Sequence, residues 1–382
     1  MYLGLPKVHN PSDINEFSEL CKAAGVTVSF CIRHSLKKIH PSTFCSPSFA
    51  SSISDICHQI SCNTTIIFSH PLPADKQRNL VNIIKQPVLD IEDVILTIFA
   101  KRARSREGQL QVEYAQYQHL KTKLIRGWTH LERQKGGIGL RGPGETQLEL
   151  DRRIINDRLV TIKEKLERIE RSRSENRKRG KQKKIPIIAL VGYTNAGKST
   201  LFNCLTKKTS IAEDQLFMTL DPLKGRTFIA PFNECILIDT VGFIHHLPAS
   251  LVTAFKATLQ EILCADLLIM VHNAGENYVS QREYIIEILR EIGAENIPTL
   301  DVLNKVDEAD RPSSFLGISA LKQQGIDQLK ESISNKLIDT MDIKVTSIPY
   351  EDHHVLSHIK QHYWVVSSTA TSEGWTITYI DH

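Results

Sequence analysis

The chain has 382 residues, more than one ordinary domain holds, so two or three domains are expected. Hydrophobic residues make up 41% and charged residues 24%, which excludes a wholly disordered, collagen-like or low-complexity protein. The net charge of +4 is too small to name a partner, and its distribution along the chain says more.

No apolar run is long enough for a transmembrane helix. Residues 1–10 lack a basic stretch followed by an apolar one and are not Arg-rich, so neither a secretory signal nor a transit peptide is expected. The eight cysteines form no C-x-x-C pair, and the nearest two, Cys57 and Cys62, have no matching second pair at zinc-ligand spacing. Reduced, mostly buried thiols in a cytoplasmic protein are expected. Cys57 is followed by His58, but no third ligand or orienting group accompanies them.

In chain order, residues 14–23, 49–60 and 74–84 predict helices and residues 26–32 and 64–68 predict strands. The alternation predicts a small α/β domain over residues 1–104 with a largely parallel sheet. Residues 88–90 and 94–99 lead out of it. Residues 105–128 are helical in pattern, with Leu110, Tyr114, Tyr117, Leu120 and Leu124 on one stripe. A glycine-rich stretch follows over residues 136–145. A second helix is predicted from near Thr146, where Ile155, Leu159, Ile162, Leu166 and Ile169 step by 4, 3, 4, 3, a heptad seam. Residues 105–184 therefore predict an antiparallel helical hairpin with a glycine-rich tip loop and a basic linker.

Many glycines around one cation, Arg141, suit close approach to a phosphate backbone; a tight helix–helix turn is the plainer reading. The basic run contains Arg171, Arg173, Arg177, Lys178, Arg179, Lys181, Lys183 and Lys184, with Glu175 as its one acid. It reads as a solvated linker or as an electrostatic contact with nucleic acid, and the run alone does not decide. Residues 185–342 form a separate α/β unit. Residues 343–382 predict a small α+β appendage: strand 345–348, helix 354–361, and strands 363–367 and 374–380.

Residues 185–191 are an apolar run of strand length. They lead into Gly192, Tyr193, Thr194, Asn195, Ala196, Gly197, Lys198, Ser199 and Thr200, a G-x-x-x-x-G-K-[ST] motif in strand–helix context. Backbone N–H groups of such a loop cradle phosphates, and the following helix aims its positive end at them. Lys198 supplies a point charge to the outer phosphates, and the Ser199 hydroxyl suits Mg²⁺. A second buried strand, residues 235–238, ends in Asp239, Thr240, Val241 and Gly242. Asp239 can hold the magnesium shell, and the Gly242 N–H can meet the terminal phosphate. A third strand, residues 298–303, ends in Asn304, Lys305, Val306 and Asp307. The Asp307 carboxylate accepts from two parallel donors, which guanine offers and adenine does not. Lys305 can lie along the base plane. A fourth strand, residues 315–318, ends in Ser319 and Ala320, where a backbone N–H can meet the guanine oxygen. All lie at strand C-terminal ends, where open α/β sheets bind ligands.

Together these motifs resemble the guanine-nucleotide pocket of the small GTPase fold. The resemblance implies GTP and GDP as ligands and GTP hydrolysis, with Lys198, Thr219 and Gly242 in the reaction and Ser199, Thr219 and Asp239 around the metal. Thr219 is the best candidate for the switch-loop threonine of that fold. The residue after Gly242 is Phe243, where many GTPases place a glutamine that orients water. Asn195 matches the P-loop asparagine that holds K⁺ in potassium-stimulated GTPases; a plain loop hydrogen bond is the other reading.

More narrowly, the chain resembles the HflX family of ribosome-associated GTPases. The resemblance rests on residues 136–149 (GGIGLRGPGETQLE), on the P-loop, on Thr219-Leu220-Asp221-Pro222, on Asp239-Thr240-Val241-Gly242-Phe243-Ile244, on residues 102–113 and on residues 128–131. It covers residues from about 74 to the tail. It implies a cytoplasmic monomer that binds the large (50S-type) ribosomal subunit and its rRNA and splits stalled or idle ribosomes. The alternative is a GTP-gated, RNA-binding assembly factor for that subunit. A membrane-surface signalling GTPase has little support, since no lipidation motif or basic amphipathic helix is present, so no membrane partner is required. Two departures stand out. Where the family places a glycine-rich, lysine-bearing turn in the N-terminal domain, residues 41–48 read PSTFCSPS, so no second, ATP-linked activity is expected there. Asn273 stands at an aspartate position.

Overall fold

The computed structural model describes residues 2–4, 11–36, 38–60, 64–127, 143–180, 185–206, 222–244, 261–275, 278–308 and 315–380. The described residues divide into two compact units, one up to Glu170 and one from Arg171 onward. No described helix is long and apolar enough to cross a membrane.

The first unit opens with β1 (Tyr2–Gly4), α1 (Pro11–Ala23), β2 (Arg33–Ser35), α2 (Pro47–Ile60), β3 (Ile66–Ile67), α3 (Ala74–Ile84), β4 (Val88–Leu89) and α4 (Ile91–Arg102). The three helices expected here form. The sheet is two separate parallel pairs, β1–β2 and β3–β4. Residues 26–32, predicted as a strand, are coil, with Val28 and Phe30 exposed. Their apolar side chains line a cavity of about 290 Å³ instead. Strand backbone needs a neighbour for its N–H and C=O groups, and β2 forms only where β1 runs beside it. The core packs Ile53, Phe68, Leu80 and Ile84, all fully buried. Cys21, Cys45 and Cys57 are buried among these helices as expected, whereas Cys31 is exposed.

The segment that leads out of the domain is a capped helix. The Asp90 carboxylate accepts from Asp93 N at 3.0 Å, and Asp93 reciprocates to Asp90 N at 3.1 Å, a capping box worth about 1 kcal/mol. Next come α5 (Arg106–Gly127) and α6 (Pro143–Gly180). Helix α6 starts within the glycine-rich run, three residues before the expected Thr146. Proline at a first helical position lacks only an N–H that would be unpaired anyway. The seam is real: Ile155, Leu159 and Ile162 are buried. Arg158 Nε donates to Glu113 Oε1 at 2.9 Å, linking α6 to α5. The backbone of the basic run is helical up to Gly180. Arg141 and most of the tip loop, with Trp128 and the last lysines of the run, lie outside the described residues.

The second unit is a six-stranded sheet in the order β10-β9-β8-β5-β7-β6. Its strands are β5 (Ile187–Gly192), β6 (Leu223–Ile229), β7 (Phe232–Asp239), β8 (Leu267–Asn273), β9 (Thr299–Asn304) and β10 (Leu316–Gly317). All neighbours are parallel except β6 and β7. The edge strand β6, with Lys224, Gly225 and Arg226 at its middle, carries little apolar pattern and was not anticipated from the sequence.

Alternate residues of β5 serve opposite faces. Ile188 and Leu190 pack with α7 (Lys198–Thr206) and with α9 (Ile326–Ile338), through Leu201, Phe202, Leu329 and Ile333. Ala189 and Val191 pack with α8 (Tyr278–Glu291), through Ile285, Ile288 and Leu289. The tail forms β11 (Ile343–Pro349), α10 (His353–His362), β12 (Trp364–Ala370) and β13 (Gly374–Ile380), an antiparallel sheet ordered β11-β13-β12. Trp364 and Ile380 join the core of the larger sheet, and Trp364 meets Phe232 edge-on with ring centroids 5.0 Å apart.

Candidate guanine-nucleotide site

The P-loop turns between β5 and α7, so the first residue of that helix is Lys198. Gly197 has a φ of 86°, and a Cβ there would collide with Asn304 Nδ2. The Lys198 ammonium is 6% exposed and folds back on the loop, donating to Gly192 O at 3.0 Å and Tyr193 O at 2.6 Å. Burial pulls its pKa down to about 8, opposed by Asp239. An ammonium held in this way, at the N-terminal end of α7, is set to meet an anion.

Ser199 Oγ donates to Asp239 Oδ2 at 2.7 Å, and Asp239 is fully buried at the end of β7. The P-loop hydroxyl and the strand-end carboxylate thus converge. Both are hard oxygen donors beside the phosphate cradle, and the residues present fit Mg²⁺. Gly242 lies against the loop: a Cβ there would stand 2.8 Å from Thr194 Cγ2 and 3.0 Å from Lys198 Nζ. Phe243 anchors this approach through its backbone. Its carbonyl accepts from Thr194 N at 2.7 Å, and its N–H donates to Gly192 O at 3.0 Å. The Phe243 ring is 2% exposed and belongs to the core on the α8 side of the sheet, so it takes no part in placing water. The Thr240 hydroxyl also turns inward, donating to Leu190 O at 2.6 Å.

The Asn304–Asp307 motif is tied to the P-loop by side chains. Asn304 Nδ2 donates to Ala196 O at 2.9 Å, and Asn304 Oδ1 accepts from Ala320 N at 3.0 Å. One buried amide therefore fixes the loop and the Ser319-Ala320 turn together. Lys305, in the left-handed region at φ 64°, donates to Asn195 Oδ1 at 3.1 Å. Asp307 faces the same turn. A hydrogen bond from the Ser319 hydroxyl, with Lys322 beside it at 3.4 Å, holds its carboxyl below the usual range. Its acceptor oxygens are therefore charged at neutral pH. Thr219 lies outside the described residues.

A network that the sequence reading missed sits behind β8 and β9. His272 Nε2 donates to Asp301 Oδ1 at 2.8 Å, and Arg282 of α8 clasps the same carboxylate at 2.9 and 3.1 Å. Burial works against the Asp301 charge, yet the His272 and Arg282 hydrogen bonds hold its pKa down. The signal was present: an aspartate within an otherwise apolar strand needs a buried partner. Asn273 Oδ1 accepts from Gly275 N at 3.0 Å, a local turn contact.

Comparison with known proteins covers most of the chain. Residues 11–100 match a family described as GTP-binding GTPase N-terminal, residues 102–179 one described as GTP-binding GTPase Middle Region, and residues 187–305 one described as 50S ribosome-binding GTPase. A protein named GTPase HflX from Escherichia coli is 44% identical over 91% of this chain and 84% of its own length. Another of that name, from Caldanaerobacter subterraneus, is 36% identical over 97% of this chain and 88% of its own. A solved structure described as SsGBP in complex with GDP aligns at 26% identity over 88% of this chain and 98% of its own, with a TM-score of 0.49.

Proposed function

The chain belongs to the HflX family of GTPases, which bind and hydrolyse GTP, and on that premise we propose that it acts on the large ribosomal subunit and splits stalled or idle ribosomes. The observation that carries this reading is the extent of the likeness. It runs through the N-terminal and helical regions as well as the GTPase region, so the parts that would meet a partner are shared with the part that turns over GTP. The long helix α6, with its basic end, supplies charge suited to rRNA. In this reading the protein works in the cytoplasm beside the ribosomes, as a monomer with no need of a membrane partner.

In the proposed reaction, Lys198 leaves the loop carbonyls for the β- and γ-phosphates, while the Gly242 N–H meets the γ-phosphate. Ser199 and Asp239, with Thr219 from the switch segment, would hold Mg²⁺, which would neutralise charge on the phosphate oxygens. Asp307 accepts from guanine N1–H and the 2-amino group, Lys305 lines the base plane, and the Ala320 N–H side of the turn meets the guanine oxygen. With Phe243 in the core, Asn195 would help hold K⁺ beside the β- and γ-phosphates, and the ion would supply positive charge that stabilises the transition state.

Intact ribosomes incubated with the protein and GTP, then resolved on a sucrose gradient, test the proposal. Conversion to free subunits is the expected result. Binding to large subunits without loss of intact ribosomes would instead favour an assembly factor. Arg141→Ala is expected to leave intrinsic GTPase activity intact and to lower subunit release.

A further inference from the structure

Helix α10 of the C-terminal appendage carries His353, His354, His358 and His362 within ten residues. Its inner face is apolar, with Ile359 buried and Val355 and Leu356 packed beside it. His354, His358 and His362 recur every fourth residue and are exposed. Residues four apart on a helix lie one above the other, so these imidazoles form a ladder.

Two rungs of the ladder already meet. The His358 and His362 rings stack with centroids 4.3 Å apart and planes 20° apart. His362 Nδ1 lies 3.0 Å from the His358 carbonyl oxygen. A carbonyl only accepts, so this ring nitrogen is the one that carries the proton. Nε2 then keeps its lone pair and points away from the helix backbone. Metal-bound histidines are held in this way, with the second nitrogen donating to a carbonyl or carboxylate. A tetrahedral ion with nitrogens at ~2.1 Å sets its two ligand atoms roughly 3.4 Å apart, and because imidazole lone pairs lie in the ring planes, these exposed side chains turn out of the stack to converge on one ion.

We propose that His358 and His362 form a two-imidazole site for a borderline divalent transition-metal ion of the zinc, nickel or copper type. Imidazole suits these ions, whereas Mg²⁺ and Ca²⁺ require oxygen donors and are not bound here. The remaining positions on the ion belong to water. The site lies on the appendage and shares no residue with the nucleotide pocket. Among the described residues a second cluster of metal-ligand types, Asp90, Asp93 and His119, is already neutralised, because Lys123 Nζ sits 2.6 Å from Asp93 Oδ2.

The test uses the untagged full chain loaded with GDP and Mg²⁺, titrated with NiCl₂ or ZnCl₂ in a calorimeter. One ion per chain is expected. His358→Gln and His362→Gln should each lose this binding, while His354→Gln and His119→Gln should retain it. The substituted residues are exposed, and an unchanged melting temperature of the metal-free variants would show that each is folded. Binding that is undiminished in either His358→Gln or His362→Gln overturns the proposal, as does equal heat from added Mg²⁺.

Discussion

Lys305 Nζ lies 3.1 Å from Asn195 Oδ1, which joins the Asn304–Asp307 motif directly to the P-loop. The contact aims the asparagine amide and sets its oxygen beside the phosphate cradle. The same oxygen is the ligand that K⁺ would use, so the lysine and the ion compete for it. GTP turnover in matched KCl and NaCl should be faster in KCl, and Asn195→Ala should erase the difference. Equal rates in the two salts would remove K⁺ from the mechanism.

Guanine selection should reside in Asp307. Asp307→Asn replaces one acceptor with a donor facing guanine's donors. GTP affinity should fall by about 1.5–3 kcal/mol, roughly tenfold to a hundredfold. Xanthosine triphosphate, whose base offers an acceptor at that position, should gain. Competition binding with both nucleotides checks this, and unchanged affinities for both would mean that Asp307 does not read the base.

Gly242 is packed too closely for any side chain, with Thr194 Cγ2 at 2.8 Å and Lys198 Nζ at 3.0 Å from a Cβ placed there. Gly242→Ala must push the strand-end loop away from the terminal phosphate. Losing that donor should lower kcat by about 100-fold. GDP, which has no γ-phosphate, should bind as before. A normal kcat in single-turnover measurements would show that the Gly242 N–H is not a reaction donor.

His119 of α5 bonds Glu92 through Nδ1 at 2.8 Å and Asp93 through Nε2 at 2.9 Å, clamping α5 to the first turn of α4. Burial pulls its pKa down, but these hydrogen bonds outweigh burial and raise it from 6.5 to about 9. A raised cation pKa stabilises the folded state fully below pH 6.5, and the effect fades as pH rises through about 9. The contribution at neutral pH is on the order of 2 kcal/mol. In scanning calorimetry, His119→Gln should therefore melt well below the unsubstituted protein at pH 6.5, and the gap should close above about pH 9. A gap that is constant with pH would show packing rather than charge.

The motifs of the candidate nucleotide pocket were legible in the sequence because they are contiguous. Gly192 to Thr200, Asp239 to Gly242 and Asn304 to Asp307 each occupy one strand end, where a few successive residues set the loop geometry and the sheet topology aligns them. The helices of both units were legible where apolar spacing was regular. Other features depend on which distant elements meet. Residues 26–32 have strand composition but no strand alongside, so they stay coil, whereas β6 has a poor pattern and forms because β7 offers it a free edge. Phe243 stands where many GTPases place a glutamine, and only packing against α8 makes it a core residue. The Asn195–Lys305 contact and the His272–Asp301–Arg282 cluster join residues far apart in the chain. Local motifs carry their own backbone geometry in sequence, while burial and long-range pairing exist only once the sheets and helices have packed.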